Sequence, residues 1–167
     1  MANKLYWIWL TMVFGAGNPR VWELLRECED VKDAYDRVLN GKYSLTSGEK
    51  LLFAGASLEK AEEIVHFCEK ENIFIFTYDD EKYPSLLKSI FNPPVVLFVA
   101  GNEDVFESEL SITVVGTRNS SDYGLNAALK ISTELAKSGF TLISGFAMGV
   151  DSVVHRAALS QDGCTIA

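Results

Sequence analysis

The sequence predicts an α/β protein in which a small all-helical region precedes a parallel sheet. Up to about residue 56, short apolar patterns at helical spacing are separated by Gly, Asn and Pro breaks. From residue 73, short β-type runs alternate with helical patterns, an order typical of a parallel sheet covered by helices. Because 48% of the 167 residues are apolar, the chain can form a core. We therefore predict two domains, residues 1–56 and residues 57–167.

The first domain is predicted to consist of short helices. Residues 5–14 are predicted to form a buried helix because apolar side chains lie on most of its sides. This run imitates a signal peptide, but its bulky Trp and Tyr residues and the helical pattern after it favour the buried helix. Asn18 is predicted to cap the second helix and Pro19 to begin it. A third helix is predicted over Val31–Leu39, and a fourth is predicted to end at Gly55.

The second domain is predicted to alternate strands and helices. Ser57 is predicted to cap its first helix. The runs IFIFTY, VVLFVAG, SITVVG, FTLIS and CTIA are predicted strands of a parallel sheet. Helices are predicted over Ser121–Ser138 and from Asp151 to Leu159. The last run resembles the opening of a buried strand, so we expect this sheet to belong to a longer domain or to be completed by a second chain.

Charge and cysteine usage narrow the function classes. Residues 110–167 hold four basic and four acidic side chains, whereas residues 1–109 hold 11 basic and 19 acidic ones and so carry the whole formal charge of −8. Phosphate is therefore expected to bind in the neutral part. The three cysteines have no metal-ligand spacing and are expected to be free, buried thiols in a reducing cytoplasm. No apolar run approaches the roughly 20 residues that a membrane span needs.

Two polar, glycine-containing loops are predicted to flank one crevice. They follow Val115 and Ile143, and the carboxyl ends of parallel strands lie at one edge of the sheet. Each loop opens a helix whose first N–H groups lack intrahelical partners, and Arg118 can grip a phosphate with two parallel hydrogen bonds. The residues expected to bind phosphate are Gly116, Thr117, Arg118, Ser120 and Ser121 in the first loop, and Ser144, Gly145 and Gly149 in the second.

Structural roles compete with these assignments. The strand-end glycines could serve only the turns, and Ser121 could simply cap its helix. Asp151 could cap the last helix rather than support the site. His155 follows Asp151 by four residues, so the two could share a face, in a structural contact or in acid–base chemistry. Tyr123 could stack on a base or pack in the first helical turn.

Several nucleotide-binding and catalytic patterns are absent from the sequence. No GxGxxG follows a predicted strand, no phosphate-binding P-loop is present, and LISGF lacks the first glycine of a GxSxG nucleophile elbow. We expect no cofactor and no metal. The leading prediction from the residues themselves is a phosphate-binding protein without catalysis. The alternatives are a phosphoribohydrolase-type enzyme on a related fold and a helical interaction module joined to an inert α/β part.

Four ordered motifs resemble the DprA/Smf family of bacterial DNA-processing proteins. The match runs from about Tyr78 to Ala167. YDDEKYPSLLKSIFNPPVVLFVAGN resembles the family's segment of YP, then L, then a proline pair, then L and G, and VVGTRNSSDYG resembles its VGxR-xxS-x-YG loop. LISGFAMGVDSVVHRAAL is similar to its SGxAxGID-xxAH-xxAL signature, and GCTIA to the strand that follows.

The resemblance implies a fold, a ligand and partners. It implies a partial extended Rossmann-like domain after a small helical domain of the SAM or helix-hairpin-helix kind. It also implies single-stranded DNA binding, loading of RecA onto that DNA and a role in natural transformation and recombination. The phosphate contacts would come from the two loops, with Tyr123, Asp151 and His155 as possible support. A homodimer is typical of the family, but most of its interface would lie beyond the matching residues.

Overall fold

The computed structural model describes residues 2–108 and 110–167. These residues form two compact units, residues 1–103 and residues 104–167, and each is described by itself. The units divide later in the chain than the change of pattern near residue 56. The predicted domain boundary between residues 56 and 57 stays a prediction.

The first unit begins with helices whose ends follow local capping signals. Asn18 accepts a hydrogen bond from the Arg20 N–H at the start of the second helix, and Ser57 accepts one from the Lys60 N–H at the start of the fifth. The predicted caps are therefore confirmed. The helices are α1 (Ala2–Phe14), α2 (Pro19–Arg26), α3 (Val31–Leu39), α4 (Ser47–Gly55) and α5 (Leu58–Lys70).

Helix α1 lies at the centre of this unit's core. Its Trp9 ring is 1% exposed and meets Tyr35 and Phe53 edge to face, with ring centroids 4.7 and 5.9 Å away. Other buried members of the helix are Trp7, Ile8, Leu10, Val13 and Phe14. The prediction of a buried first helix is confirmed, because apolar residues on several faces of α1 meet other elements of the unit.

Two strands complete the first unit, and they run antiparallel. Strand β1 (Ile73–Thr77) pairs with β2 (Val96–Ala100) in a register that sets Ile73 opposite Ala100. The prediction that every strand joins a parallel sheet is therefore wrong for this pair. A parallel pair needs a long crossover, usually a helix that covers the sheet, but the connection here holds only the single-turn helix α6 (Ser85–Lys88).

A buried carboxylate ties two helices of the first unit together. Glu49 is 5% exposed, and its Oε1 accepts a 2.8 Å hydrogen bond from Arg20 Nε. Its Oε2 accepts a 2.7 Å hydrogen bond from the Thr46 N–H, while the Glu49 N–H donates to Thr46 Oγ1 in a capping box. Burial alone would raise the pKa of Glu49, but the bonds from Thr46 and Arg20 outweigh it and the pKa is lowered.

Replacing Glu49 with alanine is expected to destabilise the protein by roughly 2 kcal/mol, because a helix cap and a mostly buried ion pair are removed together. Since the pKa of Glu49 is lowered in the folded state, its contribution is present above the ordinary glutamate pKa and is lost as pH falls through the folded-state value. Urea unfolding at neutral and acidic pH measures both effects. The control is Glu62→Ala on an exposed position of α5. Equal losses of stability in the two variants would contradict the assignment.

The second unit is a parallel three-stranded sheet with two long helices. Strands β3 (Ser111–Thr113), β4 (Thr141–Ile143) and β5 (Thr165–Ile166) lie in that order, with Ser111 opposite Thr141 and Leu142 opposite Thr165. The predicted α/β class and the parallel pairing of these strands are confirmed. After a 3-10 helix (Glu103–Glu107), the elements are β3 (Ser111–Thr113), α7 (Asp122–Lys137), β4 (Thr141–Ile143), α8 (Val150–Leu159) and β5 (Thr165–Ile166).

The core of the second unit lies between the sheet and its helices. Leu142 of β4 and Val154 and Ala158 of α8 are 0% exposed, and Ala136 of α7 packs in the same cluster. Helices α7 and α8 contact each other and β4. This packing fixes the ends of β3 and β4, from which the two predicted loops leave the sheet.

Two predictions from composition can be compared with the structure. Within residues 2–108 and 110–167, none of the helices has the length and apolarity required to cross a membrane. All three cysteines are free, as predicted. Only Cys68 is buried, however, whereas Cys28 is half-buried and Cys164 is exposed, so the prediction of three buried thiols is wrong.

Candidate nucleic-acid interface

The structure brings the two predicted loops together. We call residues 114–121, after β3, the arginine loop and residues 144–149, after β4, the glycine loop. Ser144 Oγ donates a 2.8 Å hydrogen bond to the Val114 carbonyl, and the Val150 N–H donates a 3.3 Å bond to the Thr117 carbonyl. Ser144 is 4% exposed, so its hydroxyl joins the loops and is not open to a ligand. The Val150 N–H, at the start of α8, is likewise engaged in a hydrogen bond within the protein.

Two glycines allow the loops to approach each other closely. A Cβ at Gly149, whose φ is +85°, would lie 2.5 Å from the carbonyl oxygens of both Thr117 and Arg118. A Cβ at Gly116 would lie 2.6 Å from the side chain of Val150. These positions need glycine for the contact between loops and not only for a turn. The predicted crevice is filled by protein at this point, and a phosphate contact at Gly116 or Gly149 stays a prediction.

Arg118 extends from the arginine loop into solvent. Arg118 is exposed, and none of the ion pairs found within residues 2–108 and 110–167 involves it. Its backbone is held, because the Asn119 N–H donates to Thr117 Oγ1 at 3.2 Å and Gly149 packs against the Arg118 carbonyl. The guanidinium group therefore extends from a restrained backbone and pairs with no carboxylate among the described residues. Its planar set of N–H donors can bind two phosphate oxygens at once.

The serines of the arginine loop begin helix α7. Ser121 is the N-cap, and its Oγ accepts a 3.2 Å hydrogen bond from the Gly124 N–H. The capping alternative for Ser121 is therefore confirmed, while its hydroxyl hydrogen can still be donated to an anion. Ser120 lies beside the same turn, since a Cβ at Gly124 would clash with Ser120 Oγ. A phosphate contact by either hydroxyl stays a prediction.

Asp151 supports the glycine loop from inside. It is 7% exposed, and its Oδ2 accepts a 3.4 Å hydrogen bond from the Ala147 N–H and lies 3.0 Å from the position of a Cβ on Gly145. Gly149 occupies the N-cap position of α8, so the alternative that Asp151 caps this helix is wrong. Its Oδ1 is buried without a hydrogen-bond partner.

His155 is a buried residue whose hydrogen bond is to the sheet. Its Nδ1 lies 2.7 Å from Thr165 Oγ1, and that hydroxyl donates to the Leu142 carbonyl at 2.8 Å. Since the hydroxyl has only one hydrogen, Nδ1 must carry the proton of this contact and donate it. Nε2 has no hydrogen-bond partner, although His155 is 7% exposed. Of the two alternatives, the structural contact fits this arrangement.

Three large side chains stand out from the surface near the loops. Tyr123 is 83% exposed, which contradicts packing in the first helical turn and leaves base stacking as a prediction. Phe146 and Met148 of the glycine loop are 77% and 76% exposed. Sequence patterns did not single out these last two residues. The available signal was the presence of large apolar residues between glycines in a polar strand-end loop.

Comparisons with known proteins identify the family. Residues 74–167 match the model of the family DNA recombination-mediator protein A. The chain is 34% identical over its whole length to Protein Smf of Synechocystis sp., of which it covers 44%. It is 32% identical to the DNA processing protein DprA of Bacillus subtilis, over 64% of this chain and 36% of that protein.

The fold agrees with this match. An X-ray structure of DNA processing protein A from Streptococcus pneumoniae aligns with 98% of this chain and 56% of that chain, with a TM-score of 0.63 and 25% sequence identity. The chain spans less than half the length of the two curated relatives and somewhat more than half of the solved structure. The matched residues include both loops and the sheet between them. The chain belongs to the DNA recombination-mediator protein A family.

Proposed function

We propose that this chain binds single-stranded DNA at the surface formed by the arginine and glycine loops. The observation that carries the proposal is Arg118, an exposed guanidinium without an ion pair among the described residues, held between the start of α7 and the glycine loop. Phosphate would bind to Arg118 and to the free N–H groups of the first turn of α7. The region 110–167 has no net charge, so it repels phosphate less than the acidic remainder of the chain.

The preference for a single strand follows from the apolar surface near these loops. Tyr123, Phe146 and Met148 expose large side chains, and unpaired bases offer flat apolar faces that a duplex keeps stacked inside. Family membership supports the same ligand, because the motifs carried by both loops resemble those of single-strand-binding proteins.

The wider role is proposed from the family resemblance. In that role RecA is loaded onto the bound strand during natural transformation and recombination. This takes place in the cytoplasm. The protein acts there without catalysis or a cofactor, and as a homodimer. Because the chain spans less than half the length of the two curated relatives it matches, these partners belong to the proposal for the whole protein.

Binding of the unsubstituted chain to a fluorescently labelled single-stranded oligonucleotide tests the proposal. We expect fluorescence anisotropy to report binding that weakens with salt, with a log–log slope of roughly −0.7 for each phosphate contact. A duplex of the same length is the matched competitor and is expected to compete less well, because its bases are already stacked. Binding that does not depend on salt, or that is equal for the duplex, would contradict the proposal.

A phosphoribohydrolase-type reaction on a nucleoside monophosphate is the second candidate. Asp151 Oδ1 and His155 Nε2 favour it, since both are buried without hydrogen-bond partners on the helix that follows the glycine loop. Their low exposure argues against it, because a substrate could not reach these atoms without opening the loop. Release of free base from a nucleoside monophosphate would establish this activity, and an equal rate in Asp151→Asn would remove the proposed role of the carboxylate.

A further inference from the structure

Phe146 combines two features that its own fold does not require. Phe146 is 77% exposed, so folding removes little of its apolar surface from water. Its φ is +57°, in the left-handed region that glycine and asparagine adopt more easily than an aromatic residue. Neither the core nor the backbone therefore favours phenylalanine at this position. An outlier of this kind in a loop points to a contact with something outside the chain.

The ring of Phe146 is nevertheless held in a defined direction. It meets the ring of His155 at an angle of 61°, with ring centroids 5.7 Å apart. His155 is itself fixed by its 2.7 Å contact with Thr165 on β5. The backbone on either side is also restrained, because the Ala147 N–H donates to Asp151 Oδ2 and Ser144 is bonded to the arginine loop. The exposed aromatic face is consequently presented by a supported loop.

We propose that Phe146 stacks on an unpaired nucleobase. The glycine loop then binds a base while the arginine loop binds phosphate. This inference rests on the proposed function and assigns a base subsite to it. Phe146 directly follows Gly145 in the glycine loop. Gly149 of the same loop packs against the carbonyl of Arg118, so the loop that carries the aromatic ring adjoins the arginine loop. Base stacking on an aromatic residue tolerates every base, because all four have a π face.

A comparison of two strands and two proteins tests the base subsite. One strand is oligothymidylate, and the other is a deoxyribose phosphate polymer of equal length that carries no bases. We expect Phe146→Ala to weaken binding of oligothymidylate about tenfold and to leave binding of the base-free polymer unchanged, because only a strand with bases can stack on the ring. Phe146→Trp is expected to retain the preference for the strand with bases, because the indole supplies a larger π face.

The variants separate this inference from the proposed function. Arg118→Ala is expected to weaken binding of both strands by the same factor. If Arg118→Ala weakens binding but Phe146→Ala weakens neither strand, or weakens both equally, the base subsite is overturned and the phosphate site stands. If the unsubstituted chain binds neither strand, both proposals are overturned. Circular dichroism and urea unfolding of Phe146→Ala check the fold, which we expect to be unchanged because the side chain is exposed.

Discussion

Replacing Arg118 with alanine is expected to weaken single-stranded DNA binding by about 1–3 kcal/mol, the range for removal of a hydrogen bond to a charged group. The side chain is exposed and forms no ion pair within residues 2–108 and 110–167, so the substitution removes no stabilising ion pair that would complicate the result. The free energy of unfolding is expected to change by less than about 0.5 kcal/mol, as for other surface substitutions. Anisotropy titrations and urea unfolding measure the two quantities.

Two control variants show whether geometry or charge is responsible. Lys130→Ala removes one positive charge from an exposed position on α7, away from both loops, and is expected to leave the affinity almost unchanged. Arg118→Lys keeps the charge but lacks the planar guanidinium group. Its affinity is therefore expected to lie between those of the unsubstituted chain and of Arg118→Ala. The salt slope of Arg118→Ala should become shallower by roughly 0.7 for each phosphate that Arg118 neutralises. An equal decrease in affinity for Lys130→Ala would show that only net charge matters.

Features set by neighbouring residues could be predicted from the sequence. The start of α2 at Pro19 and the extent of α3 depend on caps within the same few residues, and both were predicted correctly. Helix α7 lies one residue inside its predicted ends because Ser121 and Ser138 are its caps. The parallel order of β3, β4 and β5 followed from strands that alternate with helices long enough to cross the sheet.

Features that depend on distant residues could not be predicted in this way. The alternation of strand and helix patterns is the same before and after residue 103, yet β1 and β2 pair antiparallel because α6 is too short to cover a crossover. The ion pair of Arg20 with Glu49 joins residues 29 positions apart. No local pattern specifies such a pair.

The candidate site shows the same division. Topology predicted that the two loops would be neighbours, since both follow parallel strands. The support of Asp151 for the glycine loop and the contact of His155 with Thr165 depend on how α8 packs, and the sequence left alternatives open for both residues. The left-handed backbone of Phe146 is unfavourable for its residue type, so propensity argued against it.

Gly149→Ala is expected to destabilise the protein by about 2–6 kcal/mol and to abolish binding that depends on Arg118. The residue has φ +85° and ψ −128°, a combination that side chains other than glycine rarely adopt and that costs roughly 1–3 kcal/mol. The new Cβ would also lie 2.5 Å from two carbonyl oxygens of the arginine loop, and overpacking of this kind costs about 1–3 kcal/mol more. Relief of the clash requires the two loops to separate, which displaces the backbone that holds Arg118.

Gly139→Ala is the control for this prediction, because Gly139 also has a positive φ, +83°, in the same unit. A Cβ at Gly139 would meet no atom within 4 Å, so this variant measures the backbone cost alone. We expect Gly139→Ala to be destabilised by roughly 1–2 kcal/mol and to bind DNA normally. A larger loss of stability in Gly149→Ala than in Gly139→Ala, measured by urea unfolding, is expected because only Gly149→Ala introduces the clash between the loops. If Gly149→Ala is no less stable than Gly139→Ala and still binds DNA, close packing of the glycine loop against the arginine loop does not form the site.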